Sequence, residues 1–182
     1  ACELIPEARE VTDTVTVQGM LDCAFAENGS LVLVDYKTDR VTSGAVVDQD
    51  RQTEVEGIFA CGNVLHVHDL VDFVSEEAVI AGKAAAAHIR GEVSKRESIN
   101  ISTDGMIRYT VPQRINATVD TTVYFRVADV YRDKKIVVSV GDKVLYEKKK
   151  QKLAPGEMEC VTLTADKLSL VGDGVIEFSL EK

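Results

Sequence analysis

Two aspartates and a lysine on neighbouring apolar segments have the types and spacing of a divalent-metal site. Asp22 and Asp35 lie in two apolar runs that are joined by a turn containing Asn28 and Gly29, which predicts a β-hairpin. Adjacent hairpin strands can bring both carboxylates to one divalent metal ion. Lys37 lies two residues after Asp35, hence on the same face of the strand, where it can stabilise charge or orient an attacking water.

The segment that carries these residues, "VQGMLDCAFAENGSLVLVDYKTDRV" (residues 17–41), resembles the nuclease core of the RecB and AddA helicase–nucleases. That family has a Gly-hydrophobic-hydrophobic-Asp element followed by a hydrophobic strand that ends in Asp-Tyr-Lys-Thr. The resemblance implies a Mg²⁺-dependent DNA nuclease fragment, with Asp22 and Asp35 as metal ligands and Lys37 as the catalytic lysine. The alternative is a structural hairpin whose polar strand ends face solvent.

A second pattern, "TEVEGIFACGNV" followed by an alanine-rich helical stretch, is typical of a site for a phosphate-bearing cofactor. Gly62 would let a ligand approach the backbone, and the amides and dipole at a helix N-terminus favour an electron-rich group. The alternative is a structural strand–helix unit that binds no cofactor by itself.

This pattern resembles the last cofactor motif of thioredoxin-reductase-like, FAD-dependent pyridine nucleotide oxidoreductases. The resemblance implies that residues 42–182 are the C-terminal part of such a flavoprotein, fused to the hairpin of residues 17–41. Five FAD-binding residues are carried over from the family: Gly62, Asn63, Ser75, Glu76 and Glu77. Because the chain has no GxGxxG motif, we expect this oxidoreductase fragment to be inactive alone.

An HxH pair formed by His66 and His68, with Asp69 and Asp72 close behind, is a third candidate for chemistry. In an extended segment both imidazoles lie on one face, and a carboxylate such as Asp72 would add a third metal ligand. The favoured interpretation is that these four are polar loop residues at the mouth of a cofactor site.

The surrounding patterns predict an α+β fold. The hairpin spans residues 14–41, and a strand–loop–helix unit that resembles part of an FAD-binding domain spans residues 42–92. Its helix is predicted to begin after an N-cap at Ser75, to extend for about 15 residues and to end before Gly91. Six short strands separated by turns follow in residues 93–182, which predicts a small antiparallel β-sandwich domain.

Charge and composition limit the function classes. Residues 1–42, 43–92 and 93–182 carry net charges of −5, −6 and +2, and the acidic first half argues against nucleic acid as a partner. The chain has no run of 18 apolar residues, which predicts no membrane span, and its four cysteines are scattered, which favours a cytoplasmic protein. A non-enzymatic interaction module is a further alternative, in which the β domain binds a partner subunit or self-associates.

Overall fold

The computed structural model describes residues 23–27, 30–34, 46–92, 98–172 and 174–182. The chain forms two compact units, Ala1–Arg40 and Val41–Lys182. The described part of the first unit is an antiparallel hairpin of β1 (Cys23–Glu27) and β2 (Ser30–Val34). Glu27 pairs with Ser30 at one end and Cys23 with Val34 at the other. The predicted N-terminal hairpin is therefore confirmed.

Within its described residues, the second unit contains one long helix and two β-sheets. The long helix is α1 (Val71–Ile89), and a single-turn helix, α2 (Ala165–Leu168), lies near the C-terminus. The strands are β3 (Ile99–Thr103), β4 (Ile107–Val111), β5 (Arg114–Ile115), β6 (Thr121–Val127), β7 (Tyr131–Val140), β8 (Lys143–Leu153), β9 (Glu159–Leu163) and β10 (Ile176–Glu181). One sheet has the order β5-β3-β10-β7-β8, and the other has the order β4-β6-β9.

Alternating burial along the strands builds one hydrophobic core between these sheets. In β6 the side chains of Val123, Phe125 and Val127 point inward while their neighbours are half exposed, as expected for a strand with one buried face. Phe125 contacts Phe178 of the other sheet edge to face, with ring centroids 5.8 Å apart. This packing confirms the predicted sandwich-like region of an α+β fold.

One strand pairing differs from a purely antiparallel sandwich. β10 pairs in parallel with β3, where Ile176 aligns with Ile101, and antiparallel with β7. The six predicted strands correspond to β4 and β6 to β10. β3 and the two-residue β5 were not predicted, because β3 is a short, mostly polar segment and β5 has too short a pattern to detect. Which strands become neighbours depends on packing between distant segments, which alternation does not encode.

The segment before the sandwich is organised differently. Its buried apolar residues include Val47 and Ala60, which pack with Val111 of β4. Its strand pairings are isolated bridges, two of which pair Val47 with Thr53 and Gln52 with Phe59. The predicted domain boundary near residue 93 stays a prediction, because residues 93–97 lie outside the described part of the chain.

Helix α1 begins earlier than predicted and is largely exposed. Its N-cap is Leu70 rather than Ser75, whose hydroxyl donates instead to the Val71 carbonyl at 3.3 Å. The helix ends as predicted before Gly91, which has a φ of 69° and fits a C′ position. Only Glu77 and Ala81 of the helix are buried, so few apolar contacts hold it. No helix within the described residues has the length and apolar character needed to cross a membrane.

Candidate functional site

A buried carboxylate on α1, that of Glu77, is the centre of the candidate site. Arg51 Nε donates to Glu77 Oε1 at 2.8 Å, and the Gly62 amide donates to Oε2 at 2.7 Å. His68 Nε2 lies 2.9 Å from Oε2, and His66 Nε2 lies 3.6 Å from Oε1. We refer to Glu77, Arg51, His66 and His68 as the Glu77 cluster.

Two left-handed backbone positions bring partners to Glu77. Arg51 has a φ of 66°, which costs a non-glycine residue about 1–2 kcal/mol. The Asp48 carboxylate stabilises this turn by accepting hydrogen bonds from the Asp50 and Gln52 amides. Gly62 has a φ of 68°, which glycine adopts without steric cost. These conformations aim the Arg51 guanidinium and the Gly62 amide at one carboxylate.

Aromatic rings surround the histidines. The two imidazoles contact each other at 4.2 Å between centroids, and Tyr124 lies 6.1 Å from each. Tyr109 lies 5.9 Å from His66, and Phe73 lies 6.5 Å from His68. Burial raises the pKa of both tyrosine hydroxyls, so they remain protonated at neutral pH. The cluster is thus shielded from water by rings contributed by α1, β4 and β6.

Three imidazole nitrogens in this environment have no hydrogen-bond partner among the described residues. They are His66 Nδ1, His66 Nε2 and His68 Nδ1. The His66 and His68 side chains are 1% and 0% exposed. Buried polar atoms are almost always satisfied by a hydrogen bond, an ion or a water. Both imidazoles therefore have capacity to bind a further group.

The charge state of Glu77 follows from its partners. Burial alone would raise the pKa of this carboxyl, but His66 and His68, the Arg51 charge and the Gly62 amide outweigh it and lower the pKa to about 2. Each of these partners stabilises the ionised form. Glu77 is therefore a buried anion at every pH well above its pKa of about 2.

A cavity of about 370 Å³ lies beside the cluster. Arg51, Glu77 and Tyr124 form part of its lining, together with three further carboxylates. These carboxylates belong to Asp50, Glu76 and Asp120. The cavity therefore joins the buried cluster to an acidic surface.

The structure brings only some of the five predicted FAD-binding residues together. Gly62 and Glu77 are brought together, but the Gly62 amide that would have met a ligand donates to the Glu77 carboxylate. Asn63, Ser75 and Glu76 are exposed. Only two of the five therefore meet, and they bind each other.

The helix start explains this difference. Because α1 begins at Val71 after an N-cap at Leu70, the amides without an intrahelical acceptor belong to its first turn, and Ser75 and Glu77 lie beyond that turn. The positive end of the dipole is therefore one turn away from the predicted contact residues. The position of Ser75 as an N-cap was a wrong prediction.

The three predicted nuclease residues, Asp22, Asp35 and Lys37, lie outside the described residues. The two described strands nevertheless end next to these aspartates in sequence. Cys23 follows Asp22, Val34 precedes Asp35, and Cys23 pairs with Val34. Their roles as metal ligands and catalytic lysine stay predictions.

The carboxylate that joins the two histidines is not the one that was expected. Asp72 is exposed, and Asp69 binds Arg126 and the Met158 amide instead. Glu77, nine residues after His68, takes that place. No local spacing indicates this contact, since it depends on how the loop folds back onto α1.

Short segments of this chain match curated proteins, all of them subunits of ATP-dependent helicase/nucleases. The chain is 43% identical over 51 residues to such a subunit from Heliobacterium modesticaldum, which covers 28% of this chain and 4% of that protein. It is 66% identical over 32 residues to the protein of the same name from Desulforudis audaxviator, which covers 18% of this chain and 3% of the relative. The match to the Thermoanaerobacter sp. protein is 42% over 52 residues, 29% of this chain and 4% of the relative.

These matches correct the flavoprotein interpretation. The relatives are named as helicase/nuclease subunits, so the assignments of an FAD-dependent oxidoreductase and of FAD as cofactor are wrong. No family model matches the chain, and no solved structure matches it. The chain spans at most 4% of the length of these three relatives. Its similarity is thus to a nuclease-related fragment of ATP-dependent helicase/nuclease subunits.

Proposed function

We propose that residues 17–41 form part of a Mg²⁺-dependent DNA nuclease core of the RecB and AddA type. The observation that carries the proposal is the register of the hairpin. Cys23 and Val34 are directly paired across β1 and β2, and Asp22 and Asp35 are the next residues outward on each strand. The similarity to helicase/nuclease subunits supports the same assignment.

Continuing this register by one residue would place Asp22 opposite Asp35. Directly opposed residues of antiparallel strands have Cβ atoms about 4.5–5.5 Å apart. Two carboxylates at that separation repel each other unless a cation lies between them, and oxygen-rich sites of this kind favour Mg²⁺. The paired position is therefore suited to a hard divalent ion.

The metal would supply Lewis acidity at a phosphate oxygen and an activated water for phosphodiester hydrolysis. Asp22 and Asp35 would hold it. Lys37, which a continued strand would place on the same face as Asp35, would stabilise negative charge at the phosphate or orient the water. The proposal concerns this hydrolytic chemistry alone, because the chain spans so little of its relatives.

Binding of DNA to this segment would depend on the metal. Residues 1–42 have a net charge of −5, which repels phosphates in the absence of a cation. Mg²⁺ at the aspartates would neutralise the two carboxylates and offer a cation to a phosphate oxygen. We therefore expect DNA binding and cleavage to require the same ion.

The test is an assay of the full 182-residue chain with linear DNA and Mg²⁺, combined with titration of Mn²⁺ as a spectroscopic probe. Asp22→Asn and Asp35→Asn should each abolish Mn²⁺ binding at the hairpin and the degradation of DNA. Lys37→Ala should abolish degradation while Mn²⁺ binding persists. Asp142→Asn and Lys143→Ala, at exposed positions of the β7–β8 turn, are the matched controls. Unchanged Mn²⁺ affinity in both aspartate variants would contradict the proposal.

A further inference from the structure

We propose that His66, His68 and Glu77 form a second metal site, which binds a divalent transition-metal ion such as Zn²⁺. This site lies in the second unit, and it is independent of the hairpin and of the nuclease proposal. It uses imidazole ligands, whereas the proposed hairpin site has only carboxylate ligands. The two sites should therefore select different ions.

The distances between the ligand atoms already match such an ion. One donor atom from each of the three residues lies within 4.8 Å of the other two. Zn²⁺ forms bonds of about 2.0–2.2 Å in tetrahedral geometry, which places neighbouring donor atoms about 3.4 Å apart. The two imidazole–carboxylate separations are 2.9 and 3.6 Å, so small side-chain movements are sufficient.

The unpartnered nitrogens are the independent sign of a ligand. The His66 residue as a whole, backbone included, is 6% exposed. Neither of its ring nitrogens has a hydrogen-bond partner among the described residues. A neutral imidazole has one lone pair that needs a donor or a metal. Coordination through His66 Nε2, the nitrogen nearest the carboxylate, satisfies that lone pair.

The surroundings support a bound cation. Arg51 holds Glu77 Oε1 from outside the triad, which orients the carboxylate in the way that outer partners orient metal ligands. Glu77 also lines the cavity whose wall contains Asp50, Glu76 and Asp120. That acidic wall concentrates cations next to the site. Three protein ligands leave a coordination position for water or another ligand.

The ligand set defines the selectivity. Imidazole nitrogens suit Zn²⁺ and related transition metals, whereas Mg²⁺ prefers oxygen ligands in octahedral geometry. Metal binding also requires His68 Nε2 to give up any proton that it shares with Glu77.

The competing arrangement has no metal. A protonated imidazole at His68 would form an ion pair with Glu77 beside that of Arg51, and the cluster would then be purely structural. Replacement by glutamine separates the two arrangements, because its amide retains a hydrogen-bond donor to Glu77 and lacks the imidazole nitrogen. His88, on α1 near Phe59 and outside the cluster, offers a matched histidine control.

The experiment uses the full chain after EDTA treatment and desalting, titrated with Zn²⁺ and with Co²⁺ as a coloured substitute. We expect one equivalent of Zn²⁺ to bind, visible Co²⁺ bands, and no displacement by excess Mg²⁺. His66→Gln and His68→Gln should each weaken Zn²⁺ binding by more than the roughly 10–100-fold that loss of an outer partner costs. His88→Gln and the double variant Asp22→Asn/Asp35→Asn should retain this equivalent.

Two results would overturn the proposal. One is a folded wild-type chain, judged by circular dichroism, that binds no Zn²⁺ equivalent; this favours the ion-pair arrangement. The other is unchanged affinity in the glutamine variants, which would place the metal elsewhere. If one variant fails to fold, the other variant and the Co²⁺ spectrum of the wild type decide. Loss of Mn²⁺ binding at the hairpin would not change the Zn²⁺ result, so either proposal can be contradicted without the other.

Discussion

The sandwich of residues 98–182 and the segment of residues 46–92 are stabilised by opposite means. The sandwich has a continuous core of buried aliphatic and aromatic side chains from both sheets. The earlier segment has a small apolar cluster around Val47 and Ala60, and its most buried large side chains include Arg51 and Glu77. One region is centred on apolar packing, the other on a charged cluster.

The difference determines which amino-acid substitutions each region can tolerate. Apolar packing is non-directional, so a sandwich of this kind is stable with many residue combinations of similar volume. A buried charge cluster depends on each partner, because removing one leaves another charge or polar atom unsatisfied. A region stabilised in this second way is costly to maintain for structure alone, which is consistent with a ligand-binding role.

The largest expected effect is in the sandwich. Phe178→Ala removes a ring that is 0% exposed and packs against Phe125. We expect the free energy of unfolding to fall by about 3–5 kcal/mol, because the cavity cannot be refilled. Urea denaturation followed by circular dichroism measures this loss.

The matched control is Val130→Ala, at a position that is 52% exposed between β6 and β7. It should change the free energy of unfolding by no more than about 0.5 kcal/mol. Similar losses in the two variants would mean that the sandwich core is not the source of stability in this region.

Glu77→Gln should have the next largest effect, and it should be local to the segment of residues 46–92. The change leaves the Arg51 guanidinium buried without its anionic partner, which costs about 3 kcal/mol. Amide hydrogen exchange in EDTA should show faster exchange along α1 and little change in β6. The neighbouring exposed Glu76→Gln is the control. Equal acceleration of exchange in β6 would show that the two regions unfold together.

The same substitution should change the pH dependence of stability. The pKa of Glu77 is lowered to about 2 from an ordinary value of 4.5. Its stabilisation is therefore complete above about pH 5 and is lost as the pH falls from about 4.5 to about 2. Protection factors of the α1 amides, which correct for the pH dependence of intrinsic exchange, should fall as the pH is lowered through this window in the wild type, and Glu77→Gln should remove that part of the fall. An identical pH profile would contradict the assigned shift.

The smallest effect is expected on the outer face of α1. Val79 is 53% exposed, and serine has a helix propensity similar to that of valine. Val79→Ser should therefore change the free energy of unfolding by no more than about 0.5 kcal/mol. A loss above about 1 kcal/mol in thermal or urea denaturation would mean that this face is covered.

Much of the fold was predictable because its signals are local. Alternating apolar residues and intervening turns indicated six strands, and Asn28-Gly29 indicated the hairpin whose strands pair on either side of it. The alanine-rich stretch and Gly91 indicated α1 and its end. These patterns act within a few residues, so the chain alone carries them.

The two candidate sites also differ in whether local sequence patterns could predict them. Asp22, Asp35 and Lys37 are linked by strand spacing and a turn, so their proposed convergence can be inferred from sequence. Glu77 and Arg51 are 26 residues apart, yet they meet at 2.8 Å. The flavoprotein interpretation did not predict this pairing and assigned Glu77 to a ligand instead.

Hydrophobic periodicity and turn residues act locally, so the hairpin, the long helix and the strand-rich C-terminal half could be recognised from the chain alone. The position of β10 between β3 and β7 and the grouping of His66, His68 and Arg51 around one carboxylate depend on folding. Desolvation accounts for this second group of features. Once packing removes these groups from water, each polar atom must find a partner within reach, and only the folded chain determines which partners are near.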